Sequence, residues 1–324
     1  MKIAKTISGF LKAVGIYLFI AFISSQGLLA ADPLEREILT HLMPVLKYSD
    51  LNRKVETVSI QSLGQILLEI KYSDFRTDGQ AQQVELTGII SFIQTDEGRK
   101  PVKGTDIFRM NYDQQGRLES LKATQRQLGF EEIIADEISL KRDPETGEIQ
   151  AAVAKLPREL VELFDAKSIE TLTSIERKKT SDTESILTLS TSQRLTTKAT
   201  PAKENKAAVP SETKEIPSDK TEMKVKDGLV IELRSEGNAQ DPRIGIEKRS
   251  YNKKGLAVLT QIYQQKQGEE PVLFVEAKTT FNSKGLPEKD VIEQKDPELL
   301  KNIPEEFRAS VAKTERSTAY TYRK

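Results

Sequence analysis

Apolar residues at every second position recur along much of the chain. Ile66, Leu68 and Ile70 form one such set, Phe108, Met110 and Tyr112 a second, and Leu229, Ile231 and Leu233 a third. A period of two places these side chains on one face of an extended strand, so each set predicts a half-buried β-strand. Turn signals stand between the sets: Asp113-Gln114-Gln115-Gly116, Asn252-Lys253-Lys254-Gly255 and Asn282-Ser283-Lys284-Gly285. Asp or Asn caps a type I turn through its side chain, and glycine takes the left-handed position that follows. Strands joined in this way make an antiparallel meander.

Helical periodicity is scarce. Asp32-Pro33-Leu34-Glu35 combines an N-cap, a proline at the first helical position and an early carboxylate. Leu34, Ile38, Leu39, Leu42 and Leu46 then share a face, and Pro44 is expected to stop the helix near Met43. Pro157, Pro297 and Pro304 open three further short helices, and Ser317–Tyr322 reads as a last strand.

Similar segments recur in the same order along the chain. Val55–Ser59 resembles Ile169–Thr173, Ile66–Ile70 resembles Ile186–Ser190, and Gly88–Ile93 resembles Gly228–Leu233. Tyr112–Gly116 then corresponds to Tyr251–Gly255, and Leu156–Leu160 to Ile303–Phe307. The offset between copies widens between Ser190 and Gly228, where Thr196–Lys224 carries three prolines, many Lys and Glu, and no aromatic residue. Such a segment buries too little to offset its ordering entropy. The expected fold is therefore α+β and predominantly antiparallel β, in two tandem repeats, each a short helix followed by a curved multi-stranded meander. Residues 32–167 form the first repeat and 168–324 the second, with a disordered hairpin-loop insertion at about 196–224.

Residues 1–31 read as a secretory signal peptide. Lys2, Lys5 and Lys12 precede the apolar core Ala13–Ile23, and Leu29-Ala30-Ala31-Asp32 supplies a small-residue exit. The core is too short to span a bilayer, and no membrane span follows once the signal is removed. The expected location is exported, periplasmic or extracellular.

Composition narrows the chemistry. The 324 residues hold 49 Lys+Arg against 49 Asp+Glu, one His, no Cys and no Trp. The three leader lysines leave the mature chain slightly acidic, with no basic footprint for nucleic acid. Absence of cysteine excludes thiolate chemistry and disulfides, and a single histidine excludes multi-His metal sites. His41 sits at the edge of the first helix's apolar face, as a boundary or partly buried residue. No Gly-x-Ser-x-Gly elbow accompanies it.

Ser-x-x-Lys occurs at Ser211–Lys214, Ser250–Lys253 and Ser310–Lys313, of which only the last has helical surroundings. Asp143, Glu145 and Glu148 could hold calcium weakly, but their spacing fits a solvated hairpin turn. Tyr112, Tyr251, Phe281, Tyr320 and Tyr322 are expected to pack across strand pairs. Tyr112–Leu118 resembles one unit of the secreted YD-repeat proteins. The later turns lose the Gly-Arg step, so those seven residues assign no family.

No residue is assigned as catalytic, cofactor-binding or metal-ligating, and no cofactor is implied. The reading is an exported, non-catalytic binding or interaction protein of the cell envelope or extracellular space, meeting an envelope protein or an amphiphile. Two alternatives accompany it. A carrier of a lipid or other amphiphile predicts a sheet concavity lined by sets such as Ile89/Ser91/Ile93 and Leu229/Ile231/Leu233. A carboxylate-dependent hydrolase such as a glycosidase predicts two carboxyls about 5–10 Å apart in a cleft.

Overall fold

The computed structural model describes residues 33–42, 55–62, 65–95, 98–126, 133–156, 161–162, 166–199, 210–236, 243–266, 268–301 and 305–322. The expected signal at 1–31 lies outside the described residues, as do Pro157 and Pro304. The alternating sets form strands in a single sheet that closes on itself. Its first half comprises β1 (Val55–Ser62), β2 (Gln65–Phe75), β3 (Ala81–Thr95), β4 (Gly98–Tyr112), β5 (Leu118–Arg126), β6 (Ile133–Arg142), β7 (Ile149–Lys155) and β8 (Ala166–Lys179). Its second half comprises β9 (Glu184–Thr197), β10 (Thr213–Lys226), β11 (Leu229–Ser235), β12 (Ile244–Tyr251), β13 (Ala257–Gln265), β14 (Val272–Phe281), β15 (Pro287–Gln294) and β16 (Lys313–Tyr322).

Every strand pairs antiparallel with its sequence neighbours, and β1 closes the barrel on β16 with Val58 opposite Tyr320 and Ile60 opposite Thr318. Among the described residues the helical elements are short: α1 (Pro33–Leu42), α2 (Pro297–Lys301) and α3 (Glu305–Ala312).

This architecture corrects the expected fold class. The chain is one closed antiparallel barrel, not an α+β pair of tandem repeats with a helix and meander each. The expected boundary between residues 167 and 168 falls inside β8, which is hydrogen-bonded to β7 on one side and β9 on the other. Local patterning could not show this, because a meander that ends and a meander that continues have the same alternation. The expected insertion also shrinks, since Thr213–Lys226 pairs along its length with β9 as β10.

The two ends of the barrel differ. One end, the turn end, carries tight hairpins at 76–80, 113–117, 143–148, 180–183, 227–228, 252–256 and 282–286. Asp113 accepts the backbone N–H groups of Gln115 and Arg117 at 2.9 and 2.8 Å. Asn252 does the same for Lys254 and Leu256, and Asn282 for Lys284 and Leu286. The other end, the loop end, carries the remaining connections, including α2 and α3 between β15 and β16.

The core lies inside the barrel toward the turn end. Val58, Ile70, Val84, Met110, Leu121, Leu189, Met223 and Val230 are buried there with Leu34 and Ile38 of α1. Helix α1 sits within the ring, because it bonds two well-separated parts of the wall: Glu35 pairs with Arg142 of β6 and Glu37 with Arg249 of β12. Alternation along each strand then sends the intervening residues outward. That outer face bears Glu69 and Lys71 on β2, Lys122 on β5, Lys224 on β10, Lys278 on β14 and Glu315 on β16. A bilayer-spanning barrel needs an outward apolar band, and a Lys or Arg at its midplane costs about 2–4 kcal/mol each. Among the described residues these outward positions are charged, while most of the buried aliphatic residues turn inward.

Candidate functional site

The loop end forms a mouth. Leu68, Ile70 and Tyr72 of β2 are buried on the inner face; a register shift opposite Ile60 and Gln61 then pairs Ile66 with Gln61, so Ile66 leaves that face and stands exposed at the rim. On β9 and β10, Leu187 and Leu189 oppose Met223 and Thr221 inside. The same inner face runs on to Gln193, opposite Ile216, and Leu195, opposite Lys214. Ile216 is 56% exposed and Gln193 and Lys214 are also exposed, so the interior opens to solvent here.

The exposed large hydrophobic residues among those described are Ile66, Ile216, Val272, Leu299 and Val311. All five belong to this end: three stand near the loop-end starts of β2, β10 and β14, and two lie on α2 and α3. Solvated apolar side chains scattered singly need no explanation, whereas a set gathered around one opening marks a contact surface.

Beneath the mouth, toward the turn end, α1 is clamped by charge. Arg142 Nη2 donates to Glu35 at 2.7 Å and to the Leu118 carbonyl at 3.1 Å, while its Nη1 donates to the Gly147 carbonyl at 2.9 Å. Arg249 sits between two carboxylates, donating from Nη1 to Glu37 at 2.7 Å and from Nε to Glu247 at 2.5 Å. Burial opposes the Arg249 charge, but Glu247 and then Glu37 overcome it and hold its pKa well above the ordinary guanidinium value. His41 stands in the same field. Desolvation dominates and lowers its pKa below the usual 6.5; Glu247 and Glu37 pull it up and Arg249 pushes it down.

These carboxylates do not form a glycosidase pair. Glu37 and Glu247 both accept from the Arg249 guanidinium, so both are held in the clamp instead of flanking a cleft. They also lie under α1, with side chains 9–12% exposed, away from the mouth.

The other residues singled out in the sequence take structural places. Asp143 accepts the N–H groups of Glu145 and Thr146, and Glu148 pairs with Arg177, so the trio builds and braces a hairpin turn. Ser310 lies in α3 but Lys313 begins β16, and the other two Ser-x-x-Lys pairs straddle strand ends. Tyr112, Tyr251 and Tyr320 donate their hydroxyls to the carbonyls of Ala81, Val230 and Pro287 at 2.8, 2.6 and 2.6 Å.

Of the sets expected to line a concavity, Ile89, Ser91 and Ile93 belong to β3, but their side chains lie outside the described residues. In β11 a register shift opposite Lys224 and Val225 turns Val230 and Leu233 into the core, leaving Leu229 and Ile231 half-buried. The mouth and the clamp were not foreseen. Glu35 and Glu37 are visible in the first helix, but their arginines lie 107 and 212 residues away.

No protein-family model matches the chain, and no curated protein matches it. Among solved structures, a porin-like protein from Bacteroides uniformis is similar at 11% identity and a TM-score of 0.25, covering 74% of this chain and 96% of that one. At that level of superposition the likeness bears on neither fold nor function.

Proposed function

We propose that this is an exported, non-catalytic binding protein of the cell envelope or extracellular space, a water-facing barrel that takes an amphiphile at its loop-end mouth. The observation that carries the reading is the distribution of polarity. The outer wall is charged, while the exposed apolar residues gather at the rim of the loop end. An amphiphile fits such a place, its chain covering Ile66 and Ile216 and its head remaining near Lys214 and water. Export rests on the leader-like segment at 1–31.

Displacement of a fluorescent fatty acid tests the site. The full chain is expected to bind the probe, and Ile66→Glu with Ile216→Glu is expected to weaken binding at least about tenfold, since each buried aliphatic contact is worth about 1.5–3 kcal/mol. Both positions are exposed, so folding should survive the changes, as far-UV circular dichroism would show. Unchanged affinity in the double variant, or no binding by the parent chain, would refute the reading.

A further inference from the structure

The helix inside the barrel is tied to the wall at two separated points by ion pairs. Leu34 and Ile38 supply its buried apolar contact, and Glu35 and Glu37 reach Arg142 on β6 and Arg249 on β12. Arg249 and its partners are among the least exposed charges described, with the guanidinium and Glu247 at 9% and Glu37 at 12%. Ion pairs this deep are poor stabilisers relative to apolar packing of equal volume. Breaking one by neutralising a single partner is costly, because the other charge is left buried. A contact of this kind holds firmly in one protonation state and fails in another.

We propose that α1 is an acid-released plug: at low pH it leaves the interior while the barrel wall stays paired, uncovering the apolar inner face at the turn end. The groups that meet around Arg249 are Glu37 and His41 from α1 and Glu247 and Tyr251 from β12; Glu35 and Arg142 form the second tie. Burial favours the neutral imidazole while α1 is seated. Acid adds a second cation at His41, in the field of the buried Arg249 guanidinium.

Protonation of His41 therefore pushes α1 outward, and release returns the imidazole to water. The sign follows for His41 from its lowered pKa: the neutral, seated form is fully favoured above pH 6.5, and that preference is lost as pH falls through the lower value of the folded state. The wall keeps its strand ladder and aliphatic contacts, which do not titrate. This device does not depend on an amphiphile binding at the mouth.

The absence of tryptophan supplies the probe. Leu39 and Leu42 pack partly buried against the core, so Leu39→Trp and, separately, Leu42→Trp each place a sole indole on α1. In the full chain, emission is expected to be blue-shifted at pH 7.5 and to red-shift reversibly below pH 6.5, with the far-UV strand signal unchanged. In the Glu37→Met/Glu247→Met/Arg249→Met background the midpoint is expected to fall by about one pH unit or more, or the shift to vanish. Blue emission persisting to pH 4.5 in both probes would overturn the proposal. So would a red shift that coincides with loss of the strand signal, or an identical shift in the triple variant.

Discussion

The hairpins at 113–117, 143–148, 252–256 and 282–286 each concentrate their strain in one glycine. Gly116, Gly147, Gly255 and Gly285 hold φ between +72° and +77°, where a side chain meets the following carbonyl. Gly255 is otherwise unencumbered, since an added Cβ would meet only Leu229 methyls at 3.9 and 4.0 Å. Gly147 is more constrained, because its Cβ would come within 2.2 Å of the Arg117 guanidinium, which is paired with Asp113. Gly255→Ala is expected to cost about 1–2 kcal/mol from backbone conformation alone. Gly147→Ala should cost that and the displacement of Arg117 as well. Urea denaturation of the two variants compares them, and the reverse order would show that Arg117 moves without penalty.

Above the single turn, the recurring element is a strand pair closed by a tyrosine. Tyr112 at the end of β4 bonds the Ala81 carbonyl of β3, Tyr251 at the end of β12 bonds Val230 of β11, and Tyr320 in β16 bonds Pro287 of β15. In each pair the ring lies along the inner face while its hydroxyl satisfies a carbonyl near the turn end. A buried carbonyl that loses its donor costs more than the net value of the bond. Tyr251→Phe is therefore expected to lower stability by about 1–3 kcal/mol, with an unchanged denaturant slope showing that the barrel itself is intact. The expectation that these aromatic residues pack across strands thus corresponds to a specific clasp. Its acceptors were invisible in the sequence because any backbone carbonyl can serve.

At the scale of the whole molecule, the decisive contact is the pairing of β1 with β16. It joins Thr57 to Thr321 through their hydroxyls and Ser62 to the Glu315 carbonyl, groups 264 and 253 residues apart. A closed ring cut once remains held by all its other seams. Cleavage after Lys198, in the exposed stretch beyond β9, yields two fragments that share the β9–β10 and β1–β16 seams. They are expected to co-elute as one particle on gel filtration in native buffer and to separate only in denaturant. Independent elution of the two fragments in native buffer would contradict the closed barrel. Closure also removes free sheet edges, which otherwise invite pairing with other chains.

What the sequence determined by itself was local. Alternation at Leu68 and Ile70 and at Phe108 and Met110 specified strands and their inward faces, because a period of two is a property of the extended chain. Asp113, Asn252 and Asn282 with their glycines specified the hairpins, since each turn is closed by atoms within four residues. Pro33 and the apolar positions after it specified α1, and Ile38 duly faces the core.

Tertiary structure alone decided that the strands close into one ring, that α1 lies inside it, and that Glu37 and Glu247 share Arg249. Those contacts join residues remote along the chain, and nothing in a local pattern distinguishes a sheet that stops from one that returns to its first strand. The same holds for the mouth. Ile66 and Ile216 read as ordinary strand residues, and only closure gathers them at one rim around an interior open to water.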